Sequence, residues 1–140
     1  MVQKTILLVD DEQAFLEGLA DALELEGYRI LKARTGTKAN EILARERVDL
    51  VTVDVMMPYD EAPSEVPSQT AGLQIISDIK HQHPQLDVFC ISVVTDPATI
   101  IEIKKMGATF LKKGEVPLKT VLARIQSRLT GIAYRDPSDR

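Results

Sequence analysis

Hydrophobic positions in this chain follow two periods that take turns. Ile6-Leu7-Leu8-Val9 is a short unbroken apolar run, and it ends in Asp10-Asp11. Phe15, Leu19, Ala22 and Leu23 then recur at helical spacing, with Gly27 placed to stop a helix. Tyr28 to Ala33 reads as a second strand, and Thr35 or Thr37 could cap a helix carrying Ala39, Ile42 and Leu43. Leu50-Val51-Thr52-Val53 is another apolar run and ends in Asp54. Leu73, Ile75, Ile76 and Ile79 mark a third helix that stops before Pro84, and Asp87 to Ser92 a fourth strand. Asp96-Pro97 opens a helix with Ile100, Ile101 and Ile103, an acid in the capping position before proline at the first turn, and Gly107 closes it. Thr109 to Lys112 is a short fifth strand. Leu118, Val121, Leu122, Ile125 and Leu129 then form one helical stripe that ends at Gly131.

Five strands alternating with five helices predict an α/β domain with a doubly wound parallel sheet and helices on both faces. The near-continuous apolar strands, the first, third and fourth, belong in the middle. In such a sheet a ligand site forms at the carboxyl ends of the central strands, where Asp10, Asp11, Asp54 and Ser92 fall. Carboxylates brought together at one sheet edge repel unless a cation or a proton relieves them. The segment Pro58 to Thr70 stands apart: it has three prolines, three acids and little periodicity, and it is long for a strand-to-helix connection.

Composition narrows the picture further. The 140 residues suit one domain, expected over residues 1–131 with a polar C-terminal tail over 132–140. A net charge of −4 argues against direct nucleic-acid binding, which calls for a basic surface. Cys90 is the single cysteine, so no internal disulfide can form, and its apolar run reads as core rather than as a reactive thiol. No apolar stretch approaches the ~20 residues of a membrane span, and the first strand starts without signal-peptide architecture. The expectation is a cytoplasmic protein with no membrane association.

The order of motifs, LLVDDE at 7–12, DVMMP at 54–58, CIS at 90–92, GA at 107–108 and FLKK at 110–113, resembles the receiver domains of two-component response regulators over roughly residues 4 to 130. No one motif is specific; their succession at strand ends is. The resemblance implies a flavodoxin-like sheet of order 2-1-3-4-5. It also implies that Asp54 accepts a phosphoryl group from a sensor histidine kinase or a phosphotransfer protein. Asp10, Asp11, Asp54 and the backbone carbonyl of Met56 would hold Mg²⁺, a hard ion that takes oxygen ligands. Lys113 would pair with Asp54 and later with the phosphoryl oxygens, and Ser92 would donate to one of them. Lys112 is the alternative lysine, because Thr109 alone separates Ala108 from Phe110 where the family has two residues. Phe110 matches an aromatic that switches with activation, though as an aromatic in a strand it also reads as plain core. Signalling would follow as a population shift, remaking the surface of the fourth helix, fifth strand and fifth helix, where a homodimer could form. The output would be a downstream target protein or an effector domain outside these residues. Such a domain modifies itself and loses the group again, and is no turnover enzyme.

Three departures from the pattern bear on that reading. Val93 follows Ser92 where the family has a small residue, and its bulk is expected to crowd the approach to Asp54. Gly114 replaces the usual proline after the lysine, with Pro117 expected to supply rigidity as the first residue of the last helix. The loop over residues 59–71 delays Gly72, as either a tolerated insertion or a flap that selects partners. Val93 and the long loop keep open a degenerate receiver that acts only as a protein-interaction module, against which the complete set of acids, Ser92 and Lys113 speaks. Two other classes fit worse. A phosphohydrolase of the aspartyl-phosphate type would carry an acid at position 56, which is Met56. A dinucleotide-binding domain needs a glycine-rich first turn, which here is Asp10-Asp11-Glu12.

Overall fold

The computed structural model describes residues 2–60 and 68–132, with backbone alone over 68–70. Its elements are β1 (Thr5–Val9), α1 (Gln13–Leu25), β2 (Arg29–Ala33), α2 (Gly36–Arg45), β3 (Leu50–Val53), α3 (Ser68–Gln82), β4 (Asp87–Ser92), α4 (Pro97–Lys105), β5 (Thr109–Lys112) and α5 (Leu118–Thr130). The strands pair in parallel in the order β2-β1-β3-β4-β5, the order implied by the resemblance.

The apolar runs are unbroken because successive side chains serve two different helical layers. Leu7, Val9, Val51, Val53, Val88 and Cys90 point to the face covered by α2, α3 and α4. Ile6, Leu8, Leu50, Phe89 and Ile91 point to the face covered by α1 and α5. A one-residue slip of any central strand would exchange the two sets, so the register is tightly specified. That register places Val9 beside Val53 and Val53 beside Cys90. Asp10 and Asp54 therefore emerge side by side, each one residue past a paired valine.

Local chemistry sets most helix ends as the pattern predicts. Thr35, rather than Thr37, caps α2 by accepting from the Lys38 N–H, and Asp96 caps α4 through Thr99. Gly27, Gly107 and Gly131 follow or close α1, α4 and α5 at positive φ. The structure corrects three details. β2 begins at Arg29, leaving Tyr28 in the turn. Pro117 is the N-cap of α5 rather than its first helical residue. Leu118, the first position of the α5 stripe, is exposed, as is Ile101 of α4, while Val121, Ile125 and Ile103 are buried.

The connection after β3 is also shorter than expected, because α3 already begins at Ser68. Its described part, up to Asp60, is fastened to the body. The Thr37 N–H donates to the Tyr59 carbonyl at 2.9 Å, Asn40 donates to the Tyr59 hydroxyl at 2.8 Å, that hydroxyl donates to Asp78, and the Thr37 hydroxyl meets Asp60. Residues 61–67, most of the segment expected to form an insertion or flap, lie outside the described residues, as does the tail from 133 on.

Candidate functional site

Asp10 and Asp54 are almost fully buried, at 4% and 5% exposure. Each is held in the same way. The Asp10 N–H donates to the Ala33 carbonyl and the Asp54 N–H to the Val9 carbonyl, both at 3.0 Å, so the ladder continues one residue beyond the strands. Oδ1 of each then accepts the N–H two residues on, from Glu12 for Asp10 and from Met56 for Asp54, both at 2.9 Å. These Asx-type turns bend the chain out of the strand and turn Oδ2 of both carboxylates the same way.

Lys113 fills the space they face. Its Nζ lies 2.8 Å from Asp10 Oδ2, 3.1 Å from Asp54 Oδ2 and 3.2 Å from Glu12 Oε1, with the side chain 8% exposed. Burial pushes the Asp10 carboxyl above its usual range despite the hydrogen bond from Lys113, and the Asp54 charge adds to the rise. For Lys113, burial pulls downward, but hydrogen bonds and charge from Asp10 and Asp54 more than offset it, so the ammonium is held charged above its ordinary range. Lys112 instead pairs with Glu115 at 3.3 Å, so of the two lysines it is Lys113 that contacts the carboxylates.

The remaining expected residues lie on the adjoining strands and turns. Ser92 is fully buried at the end of β4, and its carbonyl accepts the Lys113 N–H at 2.9 Å. Its Oγ accepts from the Val94 N–H at 3.4 Å, which leaves the hydroxyl hydrogen to donate elsewhere. Phe110 lies on β5 beside Cys90 and packs, partly buried, on the layer that contains Ile103 and Val94. Asp11 is exposed, and its carbonyl accepts from Arg34 at 3.2 Å. Val93 is 54% exposed at the mouth of β4.

These donors suit a hard divalent cation. Asp10, Asp11, Glu12 and Asp54 bring four carboxylates to one end of the sheet, against Lys113 among them and Arg34 beside Asp11. Among the described residues, however, no group of three or more His, Cys, Asp or Glu side chains is disposed to hold a metal ion unaided. The expected trio is not a ready-made cage, because Lys113 ties Asp10 to Asp54 and Asp11 faces solvent. A cation here would need the Met56 carbonyl and water in its shell, as Mg²⁺ commonly does.

The family model of the response regulator receiver domain matches residues 6–126. The chain belongs to that family. Response regulator GtcR of Aneurinibacillus migulanus is similar to this receiver domain, 32% identical over 141 residues, which cover 99% of this chain and 53% of that protein. Among solved structures, the receiver domain protein from Methanospirillum hungatei JF-1 shares the fold with a TM-score of 0.80 at 21% identity, covering 93% of this chain and 96% of that one. A response regulator from Thermotoga maritima superposes with a TM-score of 0.77 at 26% identity, over 92% and 99% of the two chains. This receiver domain spans 29% to 53% of the length of the first curated relatives it matches. Among its described residues no helix is long and apolar enough to cross a membrane.

Sequence reasoning missed two neighbours of Lys113. In the sequence Glu12 is one more acid of the first turn, and Phe15 one position of a helical stripe. The Phe15 ring centroid lies 4.3 Å from the lysine nitrogen. Helical spacing cannot separate a core aromatic from one turned to a cation, because both sit on the same inner face.

Proposed function

We propose that this receiver domain is a phosphoacceptor switch in which Asp54 takes a phosphoryl group from a histidine of a sensor kinase or a phosphotransfer protein. The observation that carries this reading is the buried Asp54 carboxylate facing the Lys113 ammonium at 3.1 Å. A buried carboxylate is a competent nucleophile toward phosphorus when cations meet the incoming charge. An Asp54 oxygen forms the new bond to phosphorus, and the bond to the donor nitrogen breaks with its electron pair leaving on the donor. The Asx turns hold Asp54 in one orientation during attack. Lys113 exchanges its contact with the carboxylate for the phosphoryl oxygens, and the Ser92 hydroxyl donates to one of them. Asp10, Asp11, Asp54 and the Met56 carbonyl would hold Mg²⁺, which supplies charge neutralisation for an anionic donor in an acidic site.

The new contacts to Ser92 and Lys113 favour one of two arrangements of the β4–α4 segment and Phe110, and so reshape the face of α4, β5 and α5. Exposed Ile101 and Leu118 give that face apolar contacts for a target protein, an effector domain or a second copy. The domain works in the cytoplasm, where its kinase presents the donor, and it neither binds nucleic acid itself nor turns over a substrate.

The test is direct. Incubation with Mg²⁺ and acetyl phosphate should add the mass of one phosphoryl group, which maps to Asp54 and disappears in Asp54→Asn and with EDTA. Equal modification of Asp54→Asn would refute the assignment.

A further inference from the structure

Behind Lys113 the backbone turns back on itself, with the Glu115 and Val116 N–H groups donating to the Lys112 carbonyl at 3.2 and 3.0 Å. Gly114 follows at φ +87°, and open space surrounds the place where a Cβ would stand. Yet the lysine side chain is enclosed, and α1 with the turn before it supplies part of the enclosure. Glu12 Oε1 lies 3.2 Å from Nζ, and the Phe15 ring centroid lies 4.3 Å from it. An ammonium has three N–H groups, and three carboxylate oxygens, from Asp10, Asp54 and Glu12, lie within reach of them. The electron-rich face of Phe15 takes a further approach to the charge. Glu12 is largely in water, whereas Phe15 is partly buried among the α1 and α5 side chains. The ring is thus the fixed wall, and Glu12 the partner that can let go.

We propose that Phe15 is a positioning residue for Lys113: its ring, presented by α1, holds the ammonium between Asp10 and Asp54. It holds the ammonium from α1, whereas the turn through Gly114 holds the backbone. Lys113 then pivots from the carboxylates to the phosphoryl oxygens without leaving the ring. The consequence for rate rests on the reading of Asp54 as phosphoacceptor; the placement of Lys113 does not.

The experiment compares Phe15→Leu and Phe15→Tyr with the unaltered chain and uses two readouts. The first is the ¹⁵N signal of the Lys113 ammonium, assigned by its loss in Lys113→Arg, which is sharp when the group is held out of exchange with water. It should be sharp in the unaltered chain and in Phe15→Tyr, and broadened in Phe15→Leu. The second is the rate constant for phosphoryl uptake from acetyl phosphate with Mg²⁺. It should fall about threefold in Phe15→Leu, the scale of one partly exposed cation–π contact, and recover in Phe15→Tyr. A signal equally sharp in Phe15→Leu, or uptake slowed as much by Tyr as by Leu, would overturn the proposal. Absence of uptake in the unaltered chain would instead overturn the phosphoacceptor reading, while the ammonium signal would still decide the role of Phe15.

Discussion

A Cβ on Gly72 would lie 1.7 Å from the carbonyl oxygen of Val55. Helix α3 therefore rests directly on the backbone one residue past Asp54, and no side chain fits between them. The neighbour is main chain and cannot swing aside. Gly72→Ala should cost about 2–3 kcal/mol by forcing α3 away from β3. Urea denaturation checks it, and a midpoint within error of the unaltered chain would show that α3 can shift freely.

Lys113 is the cation that faces both Asp10 and Asp54. Lys113→Met leaves two buried carboxylates to repel each other, and the expected loss is about 3 kcal/mol. It should appear as a lower urea midpoint at unchanged slope. Adding Asp10→Asn to Lys113→Met should recover part of the loss, because it removes one of the unpaired charges. Simple additivity of the two losses would contradict the coupling.

Val93 is exposed, so trimming it barely touches the core. Val93→Ala should change stability by less than about 0.5 kcal/mol. It should also raise the rates of both phosphoryl uptake and phosphoryl loss at Asp54, by opening the approach. Unchanged rates in a stopped-flow and a decay measurement would show that Val93 does not limit access to Asp54.

Burial pushes the Cys90 thiol up to about 12, with the Asp54 charge adding to the rise. The thiolate is the reactive form, so the folded protein keeps the unreactive thiol at every pH below that value. Iodoacetamide should modify Cys90 slowly in the native state at both pH 8 and pH 9, and quickly in urea at either pH. Comparable rates in both states would show that β4 opens far more readily than its packing implies.

The fold was legible because the central strands are apolar on both faces, and such runs have few other uses in a chain that alternates so regularly. The carboxylates were legible for a related reason: an ionisable residue directly after Val9 or Val53 must sit at the sheet edge. What stayed hidden depends on how distant elements meet. Nothing in local spacing shows that Lys113 reaches Asp10 across 103 positions, or that Phe15 turns toward that lysine. Tyr59 was equally silent. It looked like part of an irregular loop, yet it is held by Asn40 from α2 and Asp78 from α3. The Lys112–Lys113 ambiguity arose because side chains at the end of β5 alternate faces, so a single omitted residue exchanges their roles.

The anchoring of Tyr59 has a consequence for how such a domain can diversify. With Tyr59 pinned to α2 and α3, and Gly72 seated on Val55, the chain on either side of the intervening stretch is clamped to the scaffold. Those clamps fix where the stretch leaves and rejoins the scaffold, and the entropy of closing a loop grows slowly with added residues. Selection, or a protein engineer, can therefore rewrite that cassette, and graft recognition sequences into it, while the geometry around Asp54 is inherited intact.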